Sequence, residues 1–194
     1  MSDQKISAMP AASTLTGAEL VPLVQNGLNV QSTIGNISAF KNAYIAVSSD
    51  QDQTGNVSVG TVMTYTSTDV SDSITLINSN ALKVPSTGIY NLQFSAQLKN
   101  TDNAQQDATI WFRVDGVDVT NSATQITIPA RKSAEIFGYA VAAWNIFLNL
   151  TANSSVQIVW VPTSTTVTVE HLPASASPVY PAIPSVIATM NQVS

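Results

Sequence analysis

Ile89-Tyr90-Asn91-Leu92-Gln93-Phe94-Ser95-Ala96-Gln97-Leu98-Lys99 is the stretch that decides how this chain folds. Tyr90, Leu92, Phe94, Ala96 and Leu98 fall on one side of an extended backbone; Asn91, Gln93, Ser95, Gln97 and Lys99 fall on the other. A period of two predicts a strand with one buried face. Shorter pieces repeat the pattern. Ile110, Phe112 and Val114 alternate with Trp111 and Arg113, Val156, Ile158 and Trp160 with Gln157 and Val159, and Val167 and Val169 with Thr166 and Thr168. Residues 61–66 and 74–77 add strands upstream. Thr101-Asp102-Asn103, Asp115-Gly116 and Thr151-Ala152-Asn153-Ser154 are the turns between them, and Asp115-Gly116 marks a hairpin. No long helical period and no internal repeat is present. Many short strands between turns predict an all-β, antiparallel sandwich or barrel.

Outward from that centre the chain divides into three zones. Residues 1–45 break short apolar pieces with Pro and Gly, and 20–24 and 29–34 read as a small hairpin around Asn26-Gly27. So short a segment buries little of its own apolar surface, and it is expected to dock on something. Residues 46–172 carry the strands of a head domain. Residues 173–194 contain Pro173, Pro178, Pro181 and Pro184 among small residues, which disfavours helix and central strand and leaves two readings, a disordered tail or an extended Pro-rich C-terminal arm. Val179-Tyr180 and Val186-Ile187 are apolar points by which such an arm would lie along a neighbour.

Composition narrows the function. Charged residues make up 10% of the chain, well under half of the roughly 25% usual for soluble domains. With 44% hydrophobic residues the chain is not of the disordered type, so its polar surface comes from Ser, Thr, Asn and Gln. The seven basic residues are spread without a cluster under a net charge of −5, which argues against a nucleic-acid partner. There is no Cys, so stability is expected from the core and from self-association. Met1-Ser2-Asp3-Gln4-Lys5 lacks a signal-peptide layout, and no apolar run approaches the ~20 residues of a membrane span. The expectation is a protein made in a cytoplasm that stays soluble.

Chemistry-bearing groups are sparse. With one His and no Cys, the common zinc ligand sets cannot be assembled within one chain. His171 lacks a Gly-x-Ser-x-Gly context and reads as a surface or capping residue. Twelve acidic residues are scattered, and no pair stands out for glycoside hydrolysis. Asp50-Gln51-Asp52-Gln53-Thr54-Gly55 mimics the first half of a calcium loop, but Thr61 stands where the bidentate Glu is required. No catalytic, cofactor or metal residue is therefore expected.

Two resemblances give these observations a direction. Thr87-Gly88-Ile89-Tyr90-Asn91-Leu92-Gln93-Phe94, with the strand order after it, resembles the globular heads of the complement and tumour-necrosis-factor superfamily over roughly residues 60–170. This implies a ten-strand jelly roll and a tight homotrimer, for which Trp111, Phe137 and Tyr139 are interface candidates. The stretch from Ile6 to Gly27 resembles the particle-proximal segment of tailed-bacteriophage structural and tail-fibre proteins. Its Ile-Ser-x-x-Pro-Ala-Ala opening leads into Leu-Thr-Gly-x-Glu-Leu-Val-Pro and a short Asn-Gly hairpin. Carried over, Ile6, Pro10, Leu15, Gly17, Glu19, Leu20 and Pro22 belong to the attachment segment, which would grip other virion proteins. The resulting expectation is a non-enzymatic virion protein, a tail-fibre head, head fibre or capsid decoration. A second expectation is a carbohydrate-binding adhesin in which Trp111 or Trp144 stacks on host surface glycans. A third, a glycan-degrading enzyme, fits less well, because such depolymerases are usually longer chains built on a β-helix.

Overall fold

The structure is a computed structural model and describes residues 14–34 and 43–193. The chain forms two compact units, Met1–Lys41 and Asn42–Ser194, divided a few residues ahead of the boundary expected at 45.

In the first unit β1 (Leu20–Gln25) and β2 (Leu28–Thr33) pair antiparallel, with Leu23 opposite Val30. They turn at Asn26 and Gly27, whose φ values of 53° and 76° are both left-handed. A two-residue hairpin loop of this type asks for positive φ at both positions, and Asn-Gly supplies it at least cost.

The second unit is all-β, with no helix among the described residues. Its strands are β3 (Tyr44–Ser49), β4 (Gln53–Thr54), β5 (Thr61–Val62), β6 (Ser67–Asp72), β7 (Thr75–Ile77), β8 (Ala81–Lys83), β9 (Gly88–Asn100) and β10 (Gln106–Val114). There follow β11 (Val117–Asp118), β12 (Thr124–Ile128), β13 (Gly138–Leu150), β14 (Ser155–Pro162), β15 (Val167–Val169), β16 (Ser175–Ala176), β17 (Val179–Tyr180) and β18 (Val186–Gln192). Two antiparallel sheets hold most of them. In sheet I the order is β7-β8-β14-β10, with β12 and β11 on the far side of β10 and β5 also paired to β14. In sheet II it is β6-β3-β18-β9-β13, with β15 continuing the line of β18 along β9 and β4 paired to β15.

The inward residues of the two sheets meet in one core, which makes the unit a β-sandwich. Tyr90, Leu92, Phe94, Ala96 and Leu98 of β9 are buried, as the alternation predicts. They face Ile110 and Phe112 of β10 and Ile158 and Trp160 of β14 in the same cluster. Phe94, Phe112 and Trp144 form an edge-to-face trio with centroids 4.5–6.1 Å apart, a geometry that adds to simple burial. Tyr90 belongs in this core because its hydroxyl donates to the Ser86 carbonyl at 2.9 Å, so its own donor is not left open.

The expected C-terminal arm is corrected at its far end. The proline-dense part ends at Pro184, and β18 then enters sheet II between β9 and β3 over seven residues. Val186, Ala188 and Met190 are buried. The physical reason is that Val186-Ile187-Ala188-Thr189-Met190 alternates and contains no proline, so it can donate to ladders on both sides. Only the stretch before it lacks a sheet partner of this kind, and it makes the small β16–β17 hairpin. The head therefore includes β18, through Gln192, and does not stop at residue 172.

Two outcomes follow for the isolated chain. A chain ending at Ser185 should lose cooperative thermal unfolding altogether, as read by circular dichroism, whereas loss of a loose arm would leave the transition unchanged. Leu92→Ala should cost about 2–5 kcal/mol in chemical denaturation, the usual range for a fully buried leucine.

Candidate functional site

Two surfaces and one cleft hold the residues singled out above. The first surface is the hairpin unit. Ile6 and Pro10 lie outside the described residues. Leu15, Leu20, Val24 and Leu28 are exposed. The register puts Leu20, Pro22 and Val24 on one face of the ribbon and Val21, Leu23, Val30 and Leu28 on the other, so both faces are apolar. Glu19 has a structural task of its own. Its Oε1 accepts from the Thr16 backbone N–H and hydroxyl, both at 2.8 Å, and its Oε2 accepts from the Gly17 N–H at 2.8 Å. The bend puts Gly17 at φ 90°, where a side chain would be strained. Leu-Thr-Gly-x-Glu is thus a self-contained carboxylate-closed turn, and the Glu19 carbonyl then accepts from the Ile34 N–H across the foot of the ribbon. These donors hold the Glu19 carboxyl down to about 2.

The second surface is the outward face of sheet II. On β13, Tyr139, Val141 and Phe147 point away from the core and are exposed. Ile89 on β9 and Ile187 on β18 are exposed on the same face. Between them the residues are Asn91, Gln93, Ser95, Asn145 and Thr189. Shallow hollows of 240 and 400 Å³ flank Gln93, one against Ile187 and Thr189, the other against Ala143 and Asn145. Lys99 is the one charge at the outward positions of β9 and β13, and it is ion-paired with the buried Glu170. The Lys99 ammonium also sits 4.3 Å from the Phe137 ring centroid. Opposite Lys99 in the register is Tyr139, whose phenol is pushed up by desolvation and by the Glu170 carboxylate. Phe137 and Tyr139 are therefore gathered around one ion pair at one end of β13. Trp111 is not with them. It stands on the outer side of sheet I, where its indole N–H donates to Asp118 at 2.8 Å beside the Arg113–Asp118 pair, and Gly60 lies against its ring.

Sequence reading passed over Val141 and Phe147, although a signal existed. From Tyr139 to Leu150 the strand is apolar on both faces and carries no charge or proline, a composition proper to strands covered on both sides. Of the two tryptophans considered for sugar stacking, Trp144 is committed to the core trio and Trp111 to Asp118.

The cleft joins distant segments around His171. The His171 backbone N–H donates to Asp52 Oδ1 at 2.7 Å, and ring Nδ1 is 3.0 Å from the Ile183 carbonyl. Asp50 Oδ1 accepts from the Thr66 hydroxyl at 2.8 Å and from Gln51 Nε2 at 3.2 Å. The Thr66 bond is the main cause of a lowered Asp50 carboxyl. Both carboxylates of the calcium-like stretch thus serve protein donors. No group of three or more metal-ligating side chains occurs among the described residues.

Glu19 gives a pH prediction. Its carboxyl is lowered in the folded turn, so its stabilising contribution is complete above about 4.5 and fades as pH falls toward about 2. In NMR titration of the intact chain the Glu19 carboxyl should titrate near 2, and Glu19→Gln should speed hydrogen exchange at the Thr16 and Gly17 amides while leaving the Leu92 amide unchanged. No family model matches the chain, and no curated protein matches it.

Proposed function

We propose that this chain is a non-enzymatic structural protein of a bacteriophage particle, a trimeric fibre or decoration protein whose head is a jelly roll. The observation that carries the reading is β13. It is a 13-residue strand at the edge of sheet II, free of charge and proline, with Tyr139, Val141 and Phe147 exposed. Proteins that remain monomeric blunt such an edge with lysine, proline, a bulge or shortness. The opposite edge of the sheet does so: β6 carries Asp69 and Asp72, and its pairing with β3 is bulged at Ala46/Val47. An apolar, nearly uncharged face suits a permanent contact with identical copies, since no like charges oppose one another.

The jelly-roll reading is supported by how the chain winds. From β8 onward it crosses between the sheets at β8–β9, β9–β10, β12–β13, β13–β14 and β14–β15, and β3 and β18, the first and last strands of the head, lie side by side. Two sheets wound by crossing connections, with distant strands adjacent, are what interlocked Greek keys require. The trimer and the virion address draw further support from the resemblances at Gly88-x-Tyr90 and at Ile6 to Gly27, and from the charge-poor surface. In this reading the hairpin unit, apolar on both faces, is the part that grips another virion protein.

Sedimentation at micromolar concentration should give three times the chain mass. Phe147→Asp together with Val141→Asp should raise the dissociation constant at least about tenfold per site, about 1.4 kcal/mol each, without unfolding the head. A monomeric wild-type chain with an intact thermal transition would sink the trimer. Particles assembled with a chain lacking residues 1–41 should fail to incorporate it, although the head alone still trimerises.

A further inference from the structure

The cleft around His171 has no part in the proposed contacts between copies. It has a volume of 180 Å³ and is formed by the end of β3, the start of β6, His171 and the chain leading into β18. Its carboxylate and its imidazole each have one side held by the protein. Asp50 Oδ1 is occupied by Thr66 and Gln51, which leaves Oδ2 as an acceptor. The Ile183 carbonyl can only accept, so Nδ1 of His171 carries a ring hydrogen, and in the neutral ring Nε2 presents a lone pair. The residues Ser48, Ser49 and Ser67 complete the polar lining with groups that can donate or accept, and Ala182 and Pro184 supply a small apolar wall. Lys and Arg are absent from the lining. A ligand for this cleft must bring several hydroxyl donors, carry no negative charge and offer one C–H face.

We propose that the His171 cleft binds a neutral saccharide unit, with Asp50 Oδ2 and His171 Nε2 accepting hydrogen bonds from adjacent sugar hydroxyls and Pro184 lying against the ring. The acceptors are held in advance of binding. Thr66 fixes Asp50, and Asp52 and Ile183 fix His171 from two directions; such preorganisation lowers the ordering cost of recognition. The β16–β17 hairpin rises next to the cleft, closed at its base by the Leu172–Ile183 bridge, and carries the exposed Tyr180 as an aromatic edge for a longer glycan. The inference is independent of the trimer and of the virion address.

The test is carried out on the full chain by NMR of the His171 ring, with methyl α-glucoside, methyl α-mannoside, methyl β-galactoside, N-acetylglucosamine and rhamnose as probes, then a purified bacterial wall polysaccharide. Saturable movement of the His171 signals is expected with at least one monosaccharide, or with the polysaccharide alone if the unit is recognised only in a chain. Asp50→Asn, which retains the Thr66 contact and replaces the free acceptor by a donor, should weaken that binding at least tenfold with unchanged melting temperature and mass in solution. Movement with none of the probes would overturn the proposal, as would binding that survives both Asp50→Asn and His171→Ala. A response to calcium chloride and to no sugar would overturn it too, assigning the cleft to a cation. Should the variants fail to fold, the wild-type ring signals still decide between these outcomes.

Discussion

The head is closed by a strand that the chain delivers last. β18 pairs with β3, the first strand of the head, over six residues and with β9 over seven. Without it β3 and β6 have no link to β9, and the inward sides of Tyr90, Leu92 and Phe94 lose Ala188 and Met190 as neighbours in the sheet. The ends of the strand are fixed by polar contacts. At one end the Ser185 N–H donates to the Ser49 carbonyl at 2.9 Å, and at the other the Ser86 hydroxyl reaches Gln192 at 3.3 Å, from the same residue whose carbonyl receives Tyr90. A sandwich that joins residue 45 to residue 190 forms its decisive pairing over a long loop, which makes its folding slow compared with a helical chain of this size.

With so few charges, neutral hydrogen bonds order the loops alongside the carboxylates of Asp50, Asp52, Asp102 and Asp115. Asn100 is fully buried at the end of β9. Its amide donates to the carbonyls of Ala104 and Pro129, and its carbonyl accepts from the Asp102 N–H. One side chain thus joins two loops. Gln53 does the same elsewhere, exchanging two hydrogen bonds with the Thr64 backbone as a strand residue would. Gly138, where β13 begins, lies so close to the Pro129 carbonyl that an added Cβ would come within 1.8 Å of the oxygen. That contact positions the end of β13 next to the Asn100 network, and Phe137 and Tyr139 on either side of it are held where Lys99 and Glu170 meet.

What could be read in the sequence was whatever is decided locally. β9 was legible because five inward residues alternate with five outward ones, and the turns at Asn26-Gly27 and Asp115-Gly116 because positive φ there leaves few other residue choices. β18 was hidden by the prolines ahead of it, and nothing local says that Ala188 will lie against Phe94. The exposed face of β13 was hidden for a different reason. Val141 and Phe147 look like core residues until the sheet order shows that the core already lies on the other side. The His171 cleft had no sequence spacing to betray it, because it is assembled from residues 48–50, 66–67, 171 and 182–184. The carboxylates that mimic half of a calcium loop, read as a solvated loop, gave no sign of their partners for the same reason: Thr66 and His171 are far along the chain.

The asymmetry of sheet II bears on the kind of assembly it would enter. β6 is an edge defended by carboxylates and a bulge, while β13 is long, uncharged and apolar on both faces. A sandwich with two bare edges could add copies at both and grow without limit. With one edge bare, β13 can pair with its own copy about a twofold axis, closing a dimer, or, as a threefold assembly requires, be received on a different patch of its neighbour, where the face bearing Ile89, Gln93 and Ile187 is the adjoining uncharged surface with recesses to receive side chains. The second contact is head-to-tail. It closes into a ring when the rotation between copies divides a full turn, and forms a filament when it does not. A closed ring would cover every β13 and leave β6 as the edge of sheet II that faces solvent.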